Sequence, residues 1–269
     1  MRNRLLGSIL ALVVALVSSC VLRAQSAEEP RAAKPRAAGS TPDLSGVWSP
    51  PRPTINSFVP SDPFGLKMQN PPMTSWGEAK FKANRPTFGA NGSPHPNDPG
   101  LICLPPGVPR IYLEPHPMQI IQITGRVIVL FEFNHFFRTI YTDGREHPND
   151  LDSTWMGHSI GRWERNTLVV DTIGFNDRTW IDRVGHPHSD ELRLVERFRR
   201  VDYDTLEDNF TIDDPKAYTK PWTGQRVFRL KAGWELLEDI CEDNGKYADY
   251  EKAAGMSGGV IGHSEEPAK

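Results

Sequence analysis

The sequence predicts a mainly β protein, an antiparallel up-and-down barrel with a proline-rich N-terminal arm wrapped around it. Three observations carry this expectation. Short runs of strand composition recur between residues 118 and 241, many separated by tight turns, which is the spacing of hairpins rather than of parallel units. The 24 prolines are roughly twice the usual share, which favours long connections and stopped strands over long helices. A meander of about ten strands must curl or close, because open edges invite pairing with other chains.

Arg2 and Arg4 precede an almost wholly apolar run at 5–17, the layout of an export signal, so residues 1–24 are assigned to a signal peptide. The run is too short to span a bilayer comfortably. Two cleavage sites compete: small residues before Cys20 fit a lipoprotein signal, and Leu22-Arg23-Ala24 fits an ordinary one. A lipid on Cys20 is the single membrane link expected, and the location is periplasmic or secreted. Residues 25–42 read as a tether, 43–251 as one barrel domain containing the arm at 49–117, and 252–269 as a flexible tail. With 31 basic and 34 acidic residues the net charge is -3, which leaves no basic footprint for nucleic acid. With Cys20 set aside, Cys103 and Cys241 form an even pair in an oxidising compartment, either bridged or buried as thiols.

Within the domain the first strand is expected at 44–49, followed in the arm by a short helix at 76–82. Further strands are expected at 119–124, 127–133, 136–142, 158–164, 167–173, 192–201, 205–212, 226–230 and 234–240, divided by turn residues such as Gly125, Asp143-Gly144, Arg165-Asn166 and Ala232-Gly233. Leu44-Ser45-Gly46-Val47-Trp48 resembles the Gly-x-Trp opening of lipocalin and calycin barrels, and the paired runs at 192–201 and 205–212 are similar to their strand-turn-strand units. That resemblance implies a barrel with a ligand cup. The blocks at 155–164, 167–177 and 213–222 also resemble a family of exported bacterial proteins, a likeness that implies no activity.

Gly157-His158-Ser159-Ile160-Gly161 has the Gly-x-Ser-x-Gly spacing of a nucleophile elbow, which needs a helix opening at the serine. A polar turn and another strand follow instead, so a hairpin is the better reading. His135, His147, His158, His186 and His188 fall close together in sequence, at strand ends and turns. His186-Pro187-His188 sets two imidazoles on one side of an extended segment, and with His135 or His158 they are candidates for Zn or Cu. Strand alternation puts Ile128, Leu130 and Glu132 on one face, Phe136, Arg138 and Ile140 on another, and Leu192, Leu194, Glu196 and Phe198 on a third. If those faces look inward, Glu132, Arg138 and Glu196 are buried charges that must pair with each other or with a ligand.

The leading expectation is binding of a small amphipathic, aromatic or carbohydrate-like molecule in the barrel cup. Glu132, Arg138, Glu196, Trp155, His158 and Trp180 are the candidate ligand contacts. The alternative is a lyase, isomerase or hydrolase in which His147 or His188 is the general base and Asp143 or Asp177 orients it, with or without a metal. An envelope structural protein is the third class.

Overall fold

A computed structural model describes residues 41–51, 71–85 and 96–241. The export signal, Cys20, most of the tether, parts of the arm and the tail lie outside the described residues. The alternating runs form nine strands: β1 (Gly46–Ser49), β2 (Met118–Ile123), β3 (Arg126–Phe131), β4 (Phe137–Tyr141), β5 (His158–Glu164), β6 (Thr167–Ile173), β7 (Arg193–Arg200), β8 (Thr205–Asp213) and β9 (Trp222–Leu230). The arm contributes α1 (Ser75–Ala83), whose N-terminus Thr74 caps by accepting the Gly77 N–H at 3.1 Å, and two 3₁₀ turns, Pro99–Ile102 and Arg110–Leu113. Among the described residues no helix is long and apolar enough to cross a membrane.

The strands pair in sequence order and β9 returns antiparallel to β1, so the sheet is a closed barrel. One expectation is corrected here: the pairing is not antiparallel throughout. An odd ring of strands that alternate in direction must hold one pair running the same way, and that pair is β4 and β5, joined only through Ile140 with Ser159 and Tyr141 with Ile160. A parallel pair needs a long return, and the connection 142–157 supplies it. The run at 234–240 is likewise not a strand. Closure of β9 on β1 leaves no free edge for a tenth strand, and the run instead lies across one end of the barrel as a strap, touching the sheet through a single bridge between Phe133 and Asp239.

The interior is filled from the inward face of every strand. Trp48, Met118, Ile120, Val127, Val129, Phe131, Ile140, Leu168, Val170, Leu194, Phe198, Leu206, Phe210, Ile212, Trp222 and Phe228 are all buried. Gly224 has a packing reason: a Cβ there would stand 2.3 Å from the Phe210 ring, so the bare backbone is what lets that ring lie across β9. The turn Arg110–Leu113 is buried in full and thrusts Tyr112 among Phe131, Phe198 and Phe228. Trp48 is completely buried. Its indole N–H donates to the Leu44 carbonyl at 2.9 Å, and the Arg200 guanidinium lies 5.1 Å from its ring centroid.

Candidate functional site

Arg138 and Glu196 point into the barrel, as alternation requires of residues flanked on the same face by Ile140 and by Leu194 and Phe198. Their charges meet: Arg138 Nη2 to Glu196 Oε2 is 2.5 Å and Nη1 to Oε1 is 2.9 Å. The remaining guanidinium donors are taken by Tyr112 Oη at 2.8 Å, Ser159 Oγ at 3.0 Å and Thr172 Oγ1 at 2.7 Å. Burial opposes the Arg138 charge, but Glu196 and Tyr112 outweigh it and hold the guanidinium above its ordinary value. Every donor of Arg138 is therefore committed within the protein, which leaves it none for a ligand. Asp208 differs. It is fully buried beside this pair with no side-chain hydrogen-bond partner, the Arg197 backbone N–H being the donor directed at it. Burial and the neighbouring Glu196 push its carboxyl well above the usual carboxylate range, which favours the protonated acid.

Glu132 is the exception to the inward reading. Val127, Val129 and Phe131 are the buried face of β3, so Glu132 follows the strand on the other side. It stands at the barrel end, where its Oε2 accepts the Leu237 N–H of the strap at 2.9 Å.

The histidines separate into four places, and the trio His135, His186 and His188 does not assemble. Among the described residues no group of three His, Cys, Asp or Glu is placed to hold a metal ion. His135 Nε2 accepts the Asp239 N–H at 3.3 Å. His186 Nδ1 donates to Asp182 Oδ2 at 2.5 Å and its ring stacks on Phe81 of α1 at 4.7 Å. Asp182 Oδ1 also accepts the N–H groups of Val184, Gly185 and His186, so this carboxylate shapes the loop. Burial alone would raise its carboxyl, but the bond from His186 and those backbone donors hold it low. His188 is buried, donates Nδ1–H to its neighbour Ser189 carbonyl at 3.0 Å, and makes no hydrogen bond to Asp177, although the charges of Asp214 and Asp177 partly offset its burial.

His147 and His158 do meet, Nδ1 to Nδ1 at 2.8 Å, so one of them donates and the other accepts. The carboxylate facing His147 is not Asp143, which lies against Arg145 on the surface, but Asp171, with Oδ2 3.8 Å from His147 Nε2. Asp171 in turn accepts two bonds from Arg193, which outweigh the effect of burial and keep it ionised. Burial, then His147, then Arg145 hold the His158 imidazole below its ordinary value. Trp155 lies half-buried under Arg178, and Trp180 is buried against the Arg110 guanidinium.

The lowered imidazoles fix a pH dependence. For His158 and His188 the unfolded chain, near pKa 6.5, takes up protons more readily than the native state, so their neutral burial is harmless above about pH 6.5 and destabilising as pH falls through that value. Thermal unfolding is expected to move to lower temperature between pH 7.5 and 5.5, and less so in His158→Gln. A flat profile over that window would contradict neutral burial of the two rings.

Two cavities lined by described residues differ sharply in size. Beside Tyr112 the interior keeps a void of about 10 Å³, no more than one water needs. At the barrel end, between the outward face of β2 and β3 and the strap, a groove of about 420 Å³ is lined by Gln119, Leu130, Glu132, His135, Phe136 and residues 234–238. The strap is held by the Glu132 and His135 bonds, by Asn134 Oδ1 accepting the Cys241 N–H, and by the disulfide Cys103–Cys241. Trp234 and Leu237 remain 49% and 70% exposed on it.

No known protein family, curated protein or solved structure matches this chain. Sequence reasoning missed Asp208, Asp171, Tyr112 and the strap. Asp208 left a signal, a carboxylate in the alternating row Leu206, Asp208, Phe210, Ile212. The contacts of Asp171 and Tyr112 depend on tertiary register and on a buried turn, which periodicity does not encode.

Proposed function

We propose that the protein is an exported small-molecule-binding protein with a calycin-like barrel, and that its ligand lies under the strap instead of in the barrel interior. The observation that carries this reading is the groove at the barrel end: its volume of about 420 Å³ falls within the ordinary range for ligand pockets, and apolar and aromatic walls alternate in it with a few polar groups. Leu130, Phe136 and Trp234 offer contact area for an amphipathic, aromatic or carbohydrate-like body, and Glu132 and Gln119 offer acceptors that orient it. The Gly-x-Trp opening, with Trp48 buried where β1 meets β9, supports the calycin-like assignment; the parallel β4 and β5 pair departs from it. A ligand of the native state must raise apparent stability. Thermal-shift screening with phenolics, aromatic alcohols and short glycosides is expected to find stabilisers that fail to stabilise Trp234→Ala. Equal stabilisation of both proteins would move the site elsewhere.

A second reading rests on the chain Asp171, His147, His158. With Asp171 facing His147 Nε2, a proton on that atom leaves His147 Nδ1 to accept from His158 and leaves His158 Nε2 with a free lone pair, the arrangement of a general base. Nitrogen NMR of the imidazoles would then show His147 protonated at Nε2 and His158 at Nδ1; the reverse tautomers would remove the base.

A further inference from the structure

We infer that the groove under the strap selects an organic cation, an ammonium or guanidinium carried on an aromatic or alicyclic body; this rests on the groove being the binding site. The charges lining it are all of one sign. Glu132, Glu235 and Glu238 are among its lining residues, and no Lys or Arg is. The Nε2 lone pair of His135 is engaged within the protein, accepting the Asp239 N–H.

The apolar side of the groove suits the same ligand. Trp234 is the exposed aromatic of the strap, and an indole face attracts a cation within about 6 Å of its centroid. The protein already uses that affinity: Lys231 Nζ stands 5.1 Å from the Trp234 centroid. Lys231 does not line the groove, so it marks what the ring accepts without filling the cavity. A ligand cation placed between Trp234 and the glutamates would gain both interactions, whereas a carboxylate there would meet the same glutamates, the nearby basic groups being Lys231 on the Trp234 ring and His116, 3.8 Å from Glu132 Oε1. Fatty acids and other anionic amphiphiles are therefore disfavoured, even though the walls are apolar enough for them.

The test uses the full mature chain and three probes that share one ring and differ in charge: 2-phenylethylamine, 2-phenylethanol and 3-phenylpropionate, titrated calorimetrically at low salt. The amine is expected to bind at least about tenfold more tightly than the alcohol, and the anion most weakly, with the amine's advantage falling as salt screens it. In Glu235→Gln/Glu238→Gln, two exposed positions whose change leaves the apolar walls intact, the amine is expected to drop to the affinity of the alcohol while the alcohol is unchanged. If the alcohol binds as well as the amine, cation selection is wrong and the groove still stands. If no probe binds, the groove fails with it. Amine binding that survives in Trp234→Ala would be adventitious attraction to a chain with more acidic than basic residues, and would overturn the proposal.

Discussion

Glu196→Gln is expected to destabilise the native state by about 3–5 kcal/mol, because it strands the Arg138 guanidinium in the barrel without its counter-ion. That is a large part of the stability of an ordinary domain. Asp208 gives this expectation internal structure. Its carboxyl is held protonated by burial and then by Glu196. Removing the Glu196 charge relieves the second cause, so Asp208 can ionise and supply part of the missing counter-charge. Glu196→Gln/Asp208→Asn should then be less stable than either change alone predicts. Replacing Arg138 and Glu196 together by Met, with Tyr112→Phe, should cost far less than Glu196→Gln, because no buried charge is left unpaired. Urea titrations measure all of these. A loss below about 1 kcal/mol in Glu196→Gln would show that the pair contributes little.

The second large effect concerns Cys103 and Cys241, separated by 138 residues. Cys103→Ser/Cys241→Ser is expected to cost about 2–5 kcal/mol, since a cross-link over so long a loop removes much of the freedom of the unfolded chain. It should also loosen the strap, whose other anchors include the Phe133 and Asp239 bridge and single N–H donations to Glu132, His135 and Asn134. Stability and ligand binding should fall together, and proteolysis should begin within 231–241. Cleavage that stays at its wild-type sites would mean the hydrogen bonds alone hold the strap.

Much of the fold is legible in the sequence, and for a definite reason. The runs at 158–164 and 167–173 coincide with β5 and β6, because the turn residues Arg165 and Asn166 divide two stretches of strand composition. Arg138 and Glu196 can be placed inside because their neighbours two positions away, Phe136, Ile140, Leu194 and Phe198, are apolar, while the opposite faces carry Thr139 and Arg193, Arg197 and Arg199. Glu132 cannot be placed that way: Ile128 and Leu130 are as apolar as Val127 and Val129, since the strap and its groove lie against the outer face of β3. The parallel pair was hidden in the length of the connection 142–157, which reads as a long loop until the ring is counted. The meeting of His147 with His158 depends on that same connection and so was equally out of reach, and the expected partnership of Asp143 with His147 gave way to the nearer Arg145.

The junction of β4 and β5 is joined over two residue pairs, against eight between β7 and β8. The β1 and β9 junction, also two pairs, is the other thin joint of the ring. Arg138 sits on β4 and grips Ser159 on β5, Thr172 on β6 and Glu196 on β7. The guanidinium thus reaches from inside across one of the two joints that main-chain bonding leaves thin, as a crossbar does behind a narrow weld, and burying its charge helps to keep an odd-numbered ring shut.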